Sequence, residues 1–140
     1  MDLSVVIPAW NEAGNLAKLL PQLHSALQQL GCQYEIIVVD NHSPDETAQV
    51  CASSGATLLQ QTAPGYGGAL WAGFAAARGE FILTMDADLS HTPDLVPDLW
   101  GARNDAELVI ASRYVGGGSA SMPGYRHILS IILNVVYTRL

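Results

Sequence analysis

The chain has 140 residues, 49% of them hydrophobic and 14% charged, which suits one domain with a core of its own and excludes a disordered chain. A formal charge of −7 argues against a duplex nucleic-acid partner, which would need a basic face. Cys32 and Cys51 are too few for a disulfide framework and form no C-x-x-C pair for zinc, so both read as free thiols.

"MDLSVVIPAW" opens directly as a strand, with no basic-then-apolar leader, and this points to a cytosolic compartment. Residues 3–8, "LSVVIP", are rich in β-branched side chains and read as a buried strand. After Asn11 and Glu12 comes a stripe of Leu16, Leu19, Leu20, Leu23, Leu27 and Leu30, the spacing of one helical face. Gly31 suits its C-terminal cap, and Pro21 inside the stripe is expected to kink or split it. "YEIIVVD" (34–40) is the second strand. Ser43, Pro44 and Glu46 then spell a capping box for a second helix. "ATLLQQ" (56–61) is a third strand, and the glycine-rich turn "APGYGG" leads into the helix "ALWAGFAAARG" ending at Gly79. "EFILTM" is the fourth strand, "TPDLVPDLWGA" a short helix capped by Thr92, and "ELVIAS" (107–112) a fifth strand. Residues 114–126, "YVGGGSASMPGYR", read as a loop that orders around a ligand. The late apolar run "ILSIILNVV" is well short of the ~20 residues needed to cross a bilayer.

Continuously apolar strands alternating with helices imply an α/β, three-layer sandwich with a mainly parallel central sheet. In such folds ligands bind beyond the carboxyl ends of the strands. There the chain places "AWNE", "DNHSPD", "DADLSH" and "SRYVGGG", a polar rim on an otherwise plain surface. Asp40 and Ser43 could simply cap a helix, and Asp86 alone could make an Asx turn. The pair Asp86 and Asp88 is harder to dismiss, because two like charges at the mouth of an apolar strand repel unless something holds them. Mg²⁺ or Mn²⁺ takes oxygen ligands and commonly uses one or two carboxylates plus substrate phosphates. "GYGGALWAG" breaks the dinucleotide fingerprint at Leu70, and no P-loop lysine motif occurs. Phosphates would then be held by the cation and by arginine.

"VVIPAWNE", "EIIVVDNHSPDET", "TMDADLSH" and "IASRYVGGG", in this order, resemble the family-2 glycosyltransferases. Within them the likeness is greatest to the polyprenol-phosphate (dolichol-phosphate) mannosyl- and glucosyltransferases. The resemblance covers residues 3–140. It implies a Rossmann-like nucleotide-sugar-transferase catalytic domain and an inverting transfer of mannose or glucose from a nucleoside-diphosphate sugar to a polyprenyl phosphate lipid. It also implies a divalent cation on the diphosphate. Carried onto this chain, Pro8, Ala9, Trp10 and Glu12 line the nucleoside pocket, and Asp40 contacts base or ribose. Asp86, Ala87 and Asp88 form the metal motif, and Arg113 and Arg126 face phosphates in the acceptor loop, with Asp88 and Arg113 the catalytic pair. Trp10 stands where the family usually has tyrosine, Asn41 where a second aspartate is common, and Ser90 where some relatives carry glutamine.

Against the family's usual length the chain reads as C-terminally truncated, ending at Leu140 inside an apolar helix. Residues 1–125 are expected to form the nucleotide-sugar-binding domain, and 126–140 the start of an acceptor-side or membrane-interface helix. Arg126 and Arg139 bracket its apolar part, which predicts self-association or membrane contact at the cytosolic face. The alternative reading is a non-catalytic nucleotide-sugar-binding domain or partner subunit. A nucleotidyltransferase is disfavoured, because "PAWNEAGN" stands where its Gly-rich, basic loop would follow the first strand.

Overall fold

The computed structural model describes residues 1–112. Met1–Val109 fold as one unit. Four strands, β1 (Leu3–Ala9), β2 (Tyr34–Asp40), β3 (Thr57–Gln60) and β4 (Phe81–Thr84), pair in the order β3-β2-β1-β4, every neighbour parallel. The helices are α1 (Ala13–Gln29), α2 (Thr47–Ser54), α3 (Gly65–Ala76) and α4 (Val96–Gly101), with a single 3₁₀ turn at Pro93–Leu95. The expected Rossmann-like α/β sheet is therefore present.

Strand alternation assigns the two faces. Leu3, Val5, Ile7, Ile36 and Val38 pack with Leu16, Leu19, Leu20, Leu23 and Leu27 of α1, with Cys51 of α2, and with Val96 of α4. All five α1 leucines are fully buried, each contributing roughly 1.5–3 kcal/mol of apolar transfer. On the other face Val6, Ile37 and Val39 meet Ala69 of α3. There α3 comes so close that a Cβ on Gly73 would stand 2.3 Å from Val6 Cγ1.

Pro21 does not split α1, which runs unbroken from Ala13 to Gln29. Pro21 and Ala17 both face solvent, so water can serve the carbonyl that the proline leaves unbonded. Gly31 adopts φ +65, as a capping glycine should. The capping box at Ser43 does not form. α2 starts at Thr47, and Ser43 spends its hydroxyl on Asp40 instead. Thr92 stands at the N-cap of the 3₁₀ turn but makes no side-chain cap bond. The glycine-rich "turn" is already helical from Gly65.

Among the described residues the sheet has four strands, and the expected fifth strand over 107–112 is not one of them. β-branched content alone does not make a strand without a ladder, and Leu108 and Ile110 remain about 70% exposed (73% and 72%). Glu107, Leu108 and Val109 border a cavity of about 300 Å³ against β4. No helix among the described residues is long and apolar enough to cross a membrane.

At the amino ends of the strands, buried Ser4 donates to Glu35 Oε1 (2.7 Å) and accepts from the backbone N–H groups of Arg78 (3.1 Å) and Gly79 (2.8 Å). Arg78 adds two guanidinium bonds to Glu35 Oε2, at 2.6 and 3.0 Å. Burial alone would raise the Glu35 carboxyl, but the bonds from Arg78 and Ser4 outweigh it and hold the group below its ordinary value. A lowered folded value stabilises above the unfolded one, about 4.3, and that contribution is lost as pH falls through the folded value. Glu35→Gln should cost about 1 kcal/mol at neutral pH. Urea unfolding should show its deficit against the parent chain closing in acid; a constant deficit would refute the ionic contribution.

Candidate active site

β1 and β4 pair only as far as Val6 and Thr84, with one further bond from Met85 N–H to the Val6 carbonyl at 3.1 Å. Beyond that point the strands part, so the absent N–H of Pro8 falls where no ladder partner remains. The opening leads into a cavity of about 350 Å³ at the carboxyl ends of the strands. Pro8 and Ala9 line it from the end of β1, Trp10 and Glu12 from the loop that follows, Asn41 from just after β2, and Asp86, Ala87 and Asp88 from the loop after β4. The segment after β3 supplies Gln61, Gly65, Tyr66 and Ala69.

Three non-glycine residues with left-handed backbone shape the rim: Asn11 (φ 58), His42 (φ 56) and Leu89 (φ 62), one in each loop after β1, β2 and β4. The first two loops are stitched together. Asn11 N–H donates to Ser43 Oγ (2.8 Å), Glu12 N–H to Thr47 Oγ1 (3.3 Å) and Ala13 N–H to Asp45 Oδ2 (3.0 Å). Asp45 also accepts from the Thr47 hydroxyl at 2.6 Å, the leading reason its carboxyl is held low. One carboxylate thereby serves the first turns of both α1 and α2.

Asp40 is 2% exposed and already fully engaged. It accepts from the Ser43 hydroxyl (2.5 Å), from Ser43 N–H (3.2 Å) and from Gln60 Nε2 (3.1 Å). It stands behind the cavity wall, while its neighbour Asn41 reaches the lining. Trp10 is 60% exposed, a flat apolar surface available to a planar ring. Glu12 accepts from Asn15 Nδ2 at 2.6 Å.

Asp86 and Asp88 border the same cavity. Asp88 Oδ1 accepts from Ser90 N–H at 2.9 Å, and Ser90, through its hydroxyl and then its N–H, holds the Asp88 carboxyl below the usual carboxylate range. Asp86 Oδ1 accepts from the Tyr66 hydroxyl at 2.9 Å, and Oδ2 lies 4.0 Å from His91 Nδ1. Burial first, and then this bond to Asp86, push the Tyr66 phenol up. Among the described residues no three His, Cys, Asp or Glu side chains cluster as a metal cage. Two hard carboxylates beside an open cavity still fit Mg²⁺ or Mn²⁺, whose remaining positions are commonly filled by water and substrate phosphates. A closed structural zinc site would need four ligands of softer kind.

The cavity thus brings together seven of the residues singled out from the sequence, namely Pro8, Ala9, Trp10, Glu12, Asp86, Ala87 and Asp88. Arg113 and Arg126 lie outside the described residues. Tyr66 and Gln61 were not foreseen; the only signal was an aromatic residue set among the glycines of "APGYGG".

Residues 4–134 match the model of the family described as "Glycosyl transferase family 2". Dolichol-phosphate mannosyltransferase of Pyrococcus furiosus is 41% identical over 137 residues, 93% of this chain and 38% of that protein. An undecaprenyl-phosphate 4-deoxy-4-formamido-L-arabinose transferase of Pseudomonas fluorescens is 36% identical over 104 residues, 69% of this chain and 30% of that protein. The crystal structure of glucosyl-3-phosphoglycerate synthase from Mycobacterium tuberculosis with Mn²⁺ and UDP-glucose superposes with a TM-score of 0.65 at 30% identity, covering 76% of this chain and 40% of that one. The chain therefore spans about a third of the length of the curated relatives it matches (38% and 30%).

Proposed function

The chain belongs to glycosyl transferase family 2, and on that premise we propose that it carries the donor-binding site of a metal-dependent, inverting hexosyltransferase. The donor is a nucleoside-diphosphate sugar, with mannose or glucose as the sugar, and the acceptor is a polyprenyl phosphate. The acceptor class rests on the likeness to enzymes named for dolichol and undecaprenyl phosphates. The observation that supports the reading is the shared cavity, whose lining includes Trp10 and Glu12 together with Asp86 and Asp88.

Residue by residue, Trp10 offers a stacking surface to the base, and Pro8 and Ala9 form the floor beneath it. Glu12 and the amide of Asn41 supply hydrogen-bonding groups to base or ribose. Asp40 acts on the nucleoside through the loop that it pins, by way of Ser43 and Asn11. Asp86 and Asp88 would hold Mg²⁺ or Mn²⁺ on the diphosphate, where the cation supplies Lewis-acid stabilisation of the leaving group's growing charge. Asp88 enters ionised across the neutral range, since Ser90 holds its carboxyl low. An acceptor phosphate is already anionic at neutral pH, so the site needs no strong general base. Arg113 and Arg126 would present permanently charged, planar donors to the phosphates. Residues 1–125 would make up the donor domain and 126–140 the start of the acceptor side, lying on the cytosolic membrane face.

A second reading is donor binding without transfer. Thermal unfolding with UDP and with GDP, each with and without Mn²⁺, separates these readings when paired with an assay of radiolabelled donor and polyprenyl phosphate. A nucleotide at a hundred times its dissociation constant should stabilise by about 2.7 kcal/mol, only when Mn²⁺ is present. Binding without transfer supports the second reading. No cation-dependent shift with either nucleotide defeats both.

A further inference from the structure

The residue of this cavity that no functional role yet accounts for is Tyr66. Its hydroxyl crosses from the start of α3 to the loop after β4 and donates to Asp86 Oδ1 at 2.9 Å. Backbone constraints fix where that hydroxyl stands. Gly65, just before it, holds φ +83, a conformation that a side chain would strain. The buried Gln61 amide braces the same turn by donating to the carbonyls of Ala63 and Gly65, the latter at 2.8 Å. Gly68 is so near the Ala63 carbonyl that any Cβ there would collide with backbone. The first turn of α3 thus has little freedom to carry the phenol elsewhere.

We infer that Tyr66 is a positioning residue for Asp86: by engaging Oδ1 it sets the carboxylate plane and leaves Oδ2 as the oxygen offered to a divalent cation. The inference rests on the donor-binding function proposed above. An unrestrained carboxylate can turn about its terminal bond and present one oxygen or both. A hydrogen bond on one oxygen selects single-oxygen coordination, which suits a small cation with near-octahedral demands. Carboxylates that bind metals are themselves commonly held by such bonds, and losing the partner typically costs 10–100-fold in affinity. Among the described residues, Oδ2 has only the His91 ring near it, at 4.0 Å, too long for a hydrogen bond. One oxygen is tethered by Tyr66, and the other accepts no hydrogen bond from the described residues.

The test is the uptake of Mn²⁺ by the chain in the presence of UDP or GDP, followed by loss of the free-ion electron paramagnetic resonance signal. Tyr66→Phe keeps the ring and removes only the hydroxyl, and it should raise the Mn²⁺ dissociation constant about 10-fold. Trp71→Ala, on the same helix but outside the cavity and 76% exposed, should leave that constant unchanged. An unaltered constant in Tyr66→Phe overturns the inference, as does an equal loss in Trp71→Ala, which would mean a general disturbance of α3. A double-mutant cycle of Tyr66→Phe with Asp86→Ala, read by urea unfolding in EDTA, needs no cation. Non-additive stabilities are expected for a direct bond, and additive ones would remove the tether itself. If the cycle is coupled but the parent chain takes up no Mn²⁺ with either nucleotide, the donor-binding function has failed, and the cation role of Tyr66 with it.

Discussion

Asp88→Ala is expected to weaken cation-dependent nucleoside-diphosphate binding by on the order of 100-fold or more while the chain stays folded. The magnitude follows from the donor set. Among the described residues the loop after β4 brings two carboxylates to the cavity, Asp86 and Asp88, so the substitution halves that pair. Substitutions one shell further out already cost 10–100-fold at metal sites, and a direct ligand should lie at the top of that range. The fold should survive, because the structural duty of Asp88 is confined to its local bonds from Ser90 in the same loop, each worth about 1 kcal/mol. Calorimetric titration of UDP and GDP with and without Mn²⁺ reads the first effect, and urea unfolding the second. Full Mn²⁺-dependent affinity in the variant would show that the ion binds elsewhere. Asp88→Asn refines the result: it keeps an oxygen but not the charge, and should fall between the alanine variant and the parent.

Gly73→Ala should destabilise the chain by about 1–3 kcal/mol, the usual range for overpacking a close-packed core. The added methyl would stand 2.3 Å from Val6 Cγ1 and 3.2 Å from Val39 Cγ2, both on fully buried strand residues with little room to retreat. Val6 is β-branched and central in the sheet, so relief must come from α3 lifting away. Because Tyr66 lies in the first turn of α3, the damage should reach the site as well, as weaker Mn²⁺ uptake. The double variant Val6→Ala, Gly73→Ala removes the colliding methyl groups and should recover part of the stability in urea unfolding. Failure to recover any would place the damage elsewhere than in this contact. Alanine improves helix propensity over glycine by up to about 1 kcal/mol, so a net loss would itself testify to the collision.

What the sequence made legible divides along physical lines. α1 was readable because five leucines repeat at helical spacing and all five are buried. β1 and β2 were readable because parallel central strands are apolar on both faces. Asp86, Asp88 and Trp10 were readable because they follow apolar strands, and the sheet then aims them at one rim. The misses have a shared origin in tertiary contacts. Ser43 has the local pattern of a helix cap, yet a buried carboxylate three residues earlier outbids the helix for its hydroxyl. Residues 107–112 carry strand-like composition, but no described neighbour offers them a ladder. Asp40 is a different case: its carboxylate accepts from Ser43 and Gln60, and its expected role at the nucleoside stays a proposal. Tyr66 was invisible because its partner lies 20 residues away, in a segment whose glycines carry no periodic signal.

The left-handed residues Asn11, His42 and Leu89 also restrict how this binding surface can diversify. The backbone at those three bends favours asparagine, aspartate or glycine, whereas valine, isoleucine and threonine would fight the dihedral itself. A lineage or a designer wishing to alter ligand preference here is steered toward the residues between the bends and away from the bends. Selectivity is free to drift while the loop trajectories stay put.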